Sequence, residues 1–337
     1  MLHKKLPLLL LTVCILASAF GEDPVPEVKD LGAGLGERYA ASAVFLPKSR
    51  QVLCFGGEQN PALTFLDDVM LLPVDAKKPE WKKLECKGPS ARAYASMAVD
   101  PATDKVYLFG GFQNDMLGDL WTLEPSKRQW SQLKTKGGPG PRDAASLVFV
   151  PDAKKGDRLF LIGGLESFSP LKSTSEVWIL DLKTMAWSRG PDFPYPAFLM
   201  GAALRSKPDI HQIWVCGGQG NQGVVEVLDL GAAKPEWKVD KKTHVPLLSA
   251  HVMIYDAGRD ALFLHGGAEH PQGDSGTLVV IPCAKPVAGP AGEIEKRAYH
   301  AGSWDPKTGT LYLMGGVLGG FLGRNCPDST LALRPKP

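Results

Sequence analysis

Short apolar runs alternate with polar turns along most of this chain, and six of the runs end in paired glycines. The clearest stretch is residues 92–133. Residues 93–99 are apolar-rich, Pro101-Ala102-Thr103-Asp104 turns the chain, and residues 105–109 run into Gly110-Gly111. The polar loop Gln113-Asn114-Asp115 then leads to a run over residues 119–123. Pro125-Ser126 turns the chain again before a last run over residues 129–133. Four short runs joined by turns predict four antiparallel strands of one sheet.

The same layout recurs at Gly56-Gly57, Gly163-Gly164, Gly217-Gly218, Gly266-Gly267 and Gly315-Gly316, at intervals of 54, 53, 54, 49 and 49 residues. A period near 50 that ends in Gly-Gly predicts an array of propeller blades. The fourth-strand tryptophan recurs as Trp81, Trp130, Trp187 and Trp237, where a large ring fills the space between sheets and a residue without Cβ admits it. Residues 26–31 match a fourth strand with no three before it, and residues 329–334 match a third strand with none after it. The expectation is an all-β, six-bladed propeller with four antiparallel strands per blade, closed when the N-terminal strand completes the last blade.

Composition agrees with many turns around an apolar core: 44% of the residues are hydrophobic, with 37 glycines and 28 prolines. Residues 1–19 read as a signal peptide, with basic residues at Lys4 and Lys5, an apolar run over 6–16 and a small-residue end at Ala17-Ser18-Ala19. That run is too short to span a bilayer, so the expected domain is residues 20–337, exported to the periplasm or secreted, without a membrane span. Without Lys4 and Lys5, 36 basic residues face 36 acidic ones, which gives no reason to expect nucleic acid as a partner. The absence of N-x-S/T mildly favours a bacterial-type exported protein. Cys54 and Cys216 sit in core runs, and an oxidising compartment leaves open one bridge among Cys86, Cys283 and Cys326. No zinc-type spacing is present, and neither a metal nor a cofactor is expected.

The six Gly-Gly pairs, the tryptophans 19 to 24 residues after them and the arginines opening most blades carry a resemblance to kelch-repeat β-propellers. It covers nearly all of residues 20–337. Blades four and five lack the opening arginine, and blade five lacks the tryptophan, which puts the weakest packing near blades five and six. Strand direction sets the loop after each Gly-Gly beside the start of the blade. Arg38, Arg92, Arg142 and Arg297 therefore share a face with Glu58, Gln59, Asn60, Gln113, Asn114, Asp115, Glu166, Gln219, Asn221, Gln222, Glu269, His270, Arg324 and Asn325. The resemblance implies that partners bind at this mouth of the central channel. Each arginine has two readings, a clamp on neighbouring loops or a ligand contact.

His251, His265 and His300 read as core residues, while His270 beside Glu269 is the one histidine of this set placed for acid–base work. No G-x-S-x-G, H-E-x-x-H or P-loop occurs. The expected function is therefore a binding module for a protein or a glycan. The rival is enzymatic, since an exported kelch propeller is also similar to periplasmic N-acetylneuraminate epimerases, which are sugar mutarotases. Glu58, Glu166 or Glu269 would then move protons, with Arg92 or Arg142 on the sugar carboxylate. Galactose oxidase is also built from kelch-type blades, but its copper ligands have no counterpart here.

Overall fold

A computed structural model describes residues 26–335, apart from 33, 60–62, 154, 222, 241–242, 270–272, 285–288 and 319–324; residues 289–291 and 293 are described by backbone alone. The leader at 1–19 lies outside the described residues. Strands dominate, and among the described residues the one helical turn is a three-residue 3-10 turn, Pro125–Lys127. Six sheets have four strands each. Sheet one comprises Ser42–Leu46, Gln51–Phe55, Val69–Pro73 and Lys82–Lys83; sheet two, Ser96–Asp100, Lys105–Phe112, Met116–Glu124 and Gln129–Gln132. Sheet three is Ser146–Val150, Arg158–Ile162, Val177–Asp181 and Ala186–Arg189; sheet four, Gly201–Lys207, Ile210–Cys216, Val225–Asp229 and Trp237–Asp240. Sheet five is Val252–Asp256, Ala261–His265, Thr277–Pro282 and Gly289–Glu293. Sheet six joins Ala301–Asp305, Thr310–Met314 and Thr330–Arg334 to Glu27–Asp30, whose Val28 faces Leu333 in antiparallel register.

Neighbouring sheets pack face to face, so the second strands are covered on both sides and read as unbroken apolar runs. Leu159–Ile162 and Ala261–His265 are buried at every residue. The tryptophans fill the joints. Trp130 of sheet two meets Phe55 of sheet one edge-on, with ring centres 5.5 Å apart, and Trp187 of sheet three meets Phe109 at 6.2 Å. Cys54 and Cys216 are fully buried, as their runs require. Cys86 and Cys283 are free thiols, and Cys86, Cys283 and Cys326 lie in three separate clusters, so the bridge left open among them does not form.

Two sets of backbone hydrogen bonds link sheet to sheet. Tyr94 N–H donates to the Ala40 carbonyl, Ala144 to Tyr94, Leu199 to Ala144, Ala250 to Leu199, Tyr299 to Ala250 and Ala40 to Tyr299, at 2.8–3.0 Å. The set returns to its starting residue. All six residues have φ between 48° and 58°, the left-handed region that side chains rarely adopt. Just outside them, the second glycine of each pair donates to the residue that opens the next sheet: Gly57 to Arg92, Gly111 to Arg142, Gly164 to Ala197, Gly218 to Leu248, Gly267 to Arg297 and Gly316 to Arg38.

These bonds explain the paired glycines. A Cβ on Gly56 would stand 2.5 Å from the Arg92 carbonyl oxygen, and one on Gly315 would stand 2.5 Å from that of Arg38. Both glycines also have φ above 60°. Gly137 has the same backbone strain, with φ 64°, but open space around it. Gly56→Ala is expected to cost about 3 kcal/mol in urea unfolding, from left-handed strain plus overpacking. Gly137→Ala is expected to cost about 1 kcal/mol, from strain alone. Equal losses would mean that the approach of sheet to sheet is not what requires glycine.

Candidate functional site

The antiparallel bridges Tyr39–Glu58, Ala93–Phe112, Asp143–Leu165, Phe198–Gln219 and Ala298–Val317 tie each loop after Gly-Gly to the residues that open its sheet. At the edge of sheet five a separate short ladder pairs Leu248 and Ser249 with Glu269 and Ala268. The predicted loop residues and the opening residues therefore do share one face. Glu58, Gln59, Gln113, Glu166, Gln219, Asn221 and Glu269 are half-buried there, and Asn114 and Asp115 are exposed. Asn60, Gln222, His270 and Arg324 lie outside the described residues.

The four opening arginines lie beneath that face, with 4% or less of each residue exposed. Every one donates to the carbonyl of the first glycine of its own sheet, at 3.0–3.3 Å. Each guanidinium also reaches a group at or near the start of the third strand, and Arg142 and Arg297 each reach a further carboxylate outside it. Arg38 grips Asp68 with two bonds at 2.7 and 2.9 Å, and Arg92 grips Asp119 at 2.6 and 3.0 Å. Arg142 reaches Glu176 at 2.9 Å and Glu166 at 3.4 Å. Arg297 holds Glu295 and the Ser329 hydroxyl. Burial pushes the Asp119 carboxyl up, but the bonds from Arg92 and Trp121 outweigh it and hold Asp119 below the usual carboxylate range. Of the two readings of the arginines, this geometry is that of the clamp.

Three tyrosines crowd the centre of the face. Tyr94 meets Tyr39 edge-on at 6.5 Å and Tyr299 at 6.1 Å. Burial, then the charges of neighbouring groups that include Glu58 and Asp143, push the Tyr94 hydroxyl well above its usual range. Asp143 stands where the other sheets carry Tyr39, Ala93, Phe198, Ser249 and Ala298. It is 2% exposed, its Oδ1 has no hydrogen-bond partner among the described residues, and burial pushes its carboxyl up to about 7. The sequence reading passed over it, although an acid at an otherwise neutral repeat position was the available signal. A strip of aromatic rings leads away from this centre. Phe65 packs against the tyrosine cluster, Phe112 meets Phe65 at 5.8 Å, and Phe168 meets Phe112 at 5.0 Å.

Sheets four to six carry a polar seam instead of apolar pairs. His251 Nε2 lies 3.7 Å from Cys216 Sγ, and His265 Nδ1 lies 3.1 Å from His300 Nε2. Burial drives His251 down to about 4 and His265 to about 3, so these are neutral core imidazoles. His265 is only half satisfied, because its Nε2 has no partner among the described residues. Glu226 was also overlooked. It is fully buried where sheets two and three carry Trp121 and Trp178, and its oxygens accept from Tyr195 and Asn221. Burial pushes it up to about 7 against the pull of Tyr195. Asn221 Oδ1 in turn accepts from the Gly223 and Val224 amides, so Glu226 anchors this loop from below. Among the described residues, no three His, Cys, Asp or Glu side chains are placed to hold a metal ion.

Arg92→Ala leaves Asp119 and the Gly110 carbonyl without their cation, and the expected loss is about 3–5 kcal/mol by denaturant unfolding. A loss under about 1 kcal/mol would remove the clamp role. For Glu226 the sign follows from its raised folded value. The native state binds the extra proton between the ordinary carboxylate range and about 7, so this group's stabilisation is present at low pH and is lost as pH rises through 7. Glu226→Gln is therefore expected to be no less stable than the parent at pH 5 and more stable at pH 8. Parallel stability curves for the two proteins would contradict this.

Comparison with known proteins follows the same lines. Residues 27–194 match the model of the KLHDC2/KLHL20/DRC7 Kelch-repeats domain. Kelch domain-containing protein 10 of Xenopus tropicalis is 26% identical over 250 residues, which is 70% of this chain and 57% of that protein. Multiple epidermal growth factor-like domains protein 8 of Homo sapiens is 26% identical over 181 residues, 50% of this chain but 6% of that much longer protein. The chain thus spans a little over half of one relative and a small part of the other. The solved structure of YjhT superposes with a TM-score of 0.68 at 16% identity, covering 89% of this chain and 95% of that one. With the repeated glycine pairs, opening arginines and joint-filling tryptophans, these matches establish that the chain belongs to the kelch-repeat family.

Proposed function

We propose that residues 20–337 form an exported, six-bladed propeller, closed through Glu27–Asp30, whose loop face binds a protein partner. The hydrogen-bonded cycle through Ala40 and Tyr299 supports six blades and their closure. Export rests on the leader-like residues 1–19 alone. The observation that carries the binding reading is the aromatic strip on the loop face, which a kelch scaffold presents on rigid sheets. Phe168 is 52% exposed and Leu171 on the same hairpin 66% exposed, beside a groove of about 680 Å3 where Phe112, Met116, Pro141 and Phe168 alternate with polar side chains that include Asp115 and Glu166. An exposed aromatic anchor with an apolar neighbour beside such a groove is the kind of feature from which hot spots of binding are built.

A sugar-mutarotase activity is the second reading, and Asp143 favours it, because its carboxyl stands at the loop face with Oδ1 unpartnered among the described residues and burial pushes it up to about 7, near the pH where proton transfer is efficient. Against it, Arg92 and Arg142 are already spent on Asp119 and Glu176 and are not free to hold a sugar carboxylate. An unchanged rate of sialic acid anomer exchange in the presence of the protein would remove it.

Residues 20–337, immobilised, are expected to capture a partner from the exported proteins of the source cell. Phe168→Ser with Leu171→Ser should weaken that capture by roughly tenfold or more while leaving the melting temperature unchanged. Equal capture by this variant would move the binding surface away from the strip.

A further inference from the structure

The formal net charge of the sequence is only +2, but the fold does not distribute its charges evenly. The clamp arginines point their cations beneath the loop face, towards Asp68, Asp119 and Glu176. The face itself keeps Glu58, Asp143 and Glu269, and among the described residues no ion pair reaches any of the three. Asp143 is the sharpest case. An ionised carboxylate buried without a partner is costly, and here the carboxyl stays protonated up to about 7. Tyr94 stands beside it, with Tyr39 and Glu58 on one side and Tyr299 on the other. Arg142, its neighbour in sequence, is turned away to Glu176 and Glu166, and Leu165 brings only backbone to it.

We propose that this tyrosine-walled mouth receives a lysine or arginine side chain of the protein partner, with Asp143 as its counter-ion. The proposal rests on the protein-binding reading and names the chemistry of its partner. Aromatic rings attract a cation through their quadrupole, and an orphan carboxylate supplies a charge-assisted hydrogen bond. A desolvated cation gains more from both than a hydrated surface one. The source is a partner chain rather than a free amine because the apolar strip begins at the mouth. Phe65 packs on the tyrosine cluster, and Phe112 and Phe168 continue outward from it. A segment with a cationic residue flanked by apolar ones covers both surfaces.

The test is calorimetric titration of residues 20–337 with a blocked tripeptide carrying lysine between two phenylalanines, and with its norleucine counterpart. At pH 8 the lysine peptide is expected to bind roughly tenfold more tightly than the norleucine peptide. Asp143→Asn should erase that difference while its melting temperature holds or rises, because a neutral amide replaces a buried acid. The cation binds the ionised carboxylate, so the advantage should fade in the parent as pH drops through 7 to 5.5 and should not change in Asp143→Asn. Equal affinity for both peptides, failure of both to bind, or an unaffected Asp143→Asn would each overturn the proposal. Free spermidine binding as tightly as the lysine peptide would overturn the assignment to a partner chain. Capture of a partner that the lysine peptide does not displace would sink this inference and leave the protein-binding reading standing.

Discussion

The rest of the structure hangs on the close approach of each sheet to the residue that opens the next. Six glycine amides donate across these joints, and six left-handed residues inside them donate in a cycle. Neither set tolerates more distance, because an N–H···O=C hydrogen bond is lost once donor and acceptor separate. Glycine is required where the backbones nearly touch, and φ near 50° is required where the chain turns inward. The non-glycine residues that accept this strain, among them Tyr94, Leu199 and Tyr299, do so because a cyclic set of bonds holds each from both sides. On the opposite face the ties are side chains. Asp104 accepts from the Lys48 and Ser49 amides, Asp260 from Arg205, and Asp305 of sheet six from Arg50 of sheet one.

Against this frame the arginines make physical sense. A guanidinium has five donors in a rigid fork, which suits it to a carbonyl and a carboxylate at once. Each of the four uses that fork to fasten the first glycine's carbonyl to the beginning of the third strand, and so fixes where the intervening loop starts and ends. The cost is that they are no longer available to a ligand. The consequence is electrostatic. The clamp cations are withdrawn below the surface with their own counter-ions, whereas Glu58, Asp143 and Glu269 at the mouth meet no ion pair among the described residues.

Sheets four and five lack the clamp, with Ala197 and Leu248 in its place, and there the interior turns polar. Cys216, His251, His265 and His300 occupy joints that hold Phe55, Phe109 and Ile162 with Ala95, Ala145 and Met200 elsewhere. Two imidazoles, or an imidazole and a thiol, fill a volume similar to a phenyl ring and a methyl group. Burial keeps the imidazoles neutral, so the exchange preserves packing and leaves a few nitrogens without a partner among the described residues.

The sequence alone determined the strand pattern, the period, the tryptophan joints and the face shared by the loops after Gly-Gly. All of these follow from local periodicity and from the strand reversal at each turn, which need no knowledge of distant neighbours. Even the kelch family was legible, because its marks are glycines, arginines and tryptophans whose roles repeat with the backbone. Which reading of Arg38, Arg92, Arg142 and Arg297 holds was decided only by tertiary structure, since Asp68, Asp119 and Glu176 stand 27 to 34 residues further along the chain. Asp143 showed in the sequence only as an acid at an otherwise neutral repeat position, and what sets it and Glu226 apart was decided by packing for the same reason. A carboxyl's proton affinity depends on what surrounds it in space, and only packing showed that these two meet no cation among the described residues.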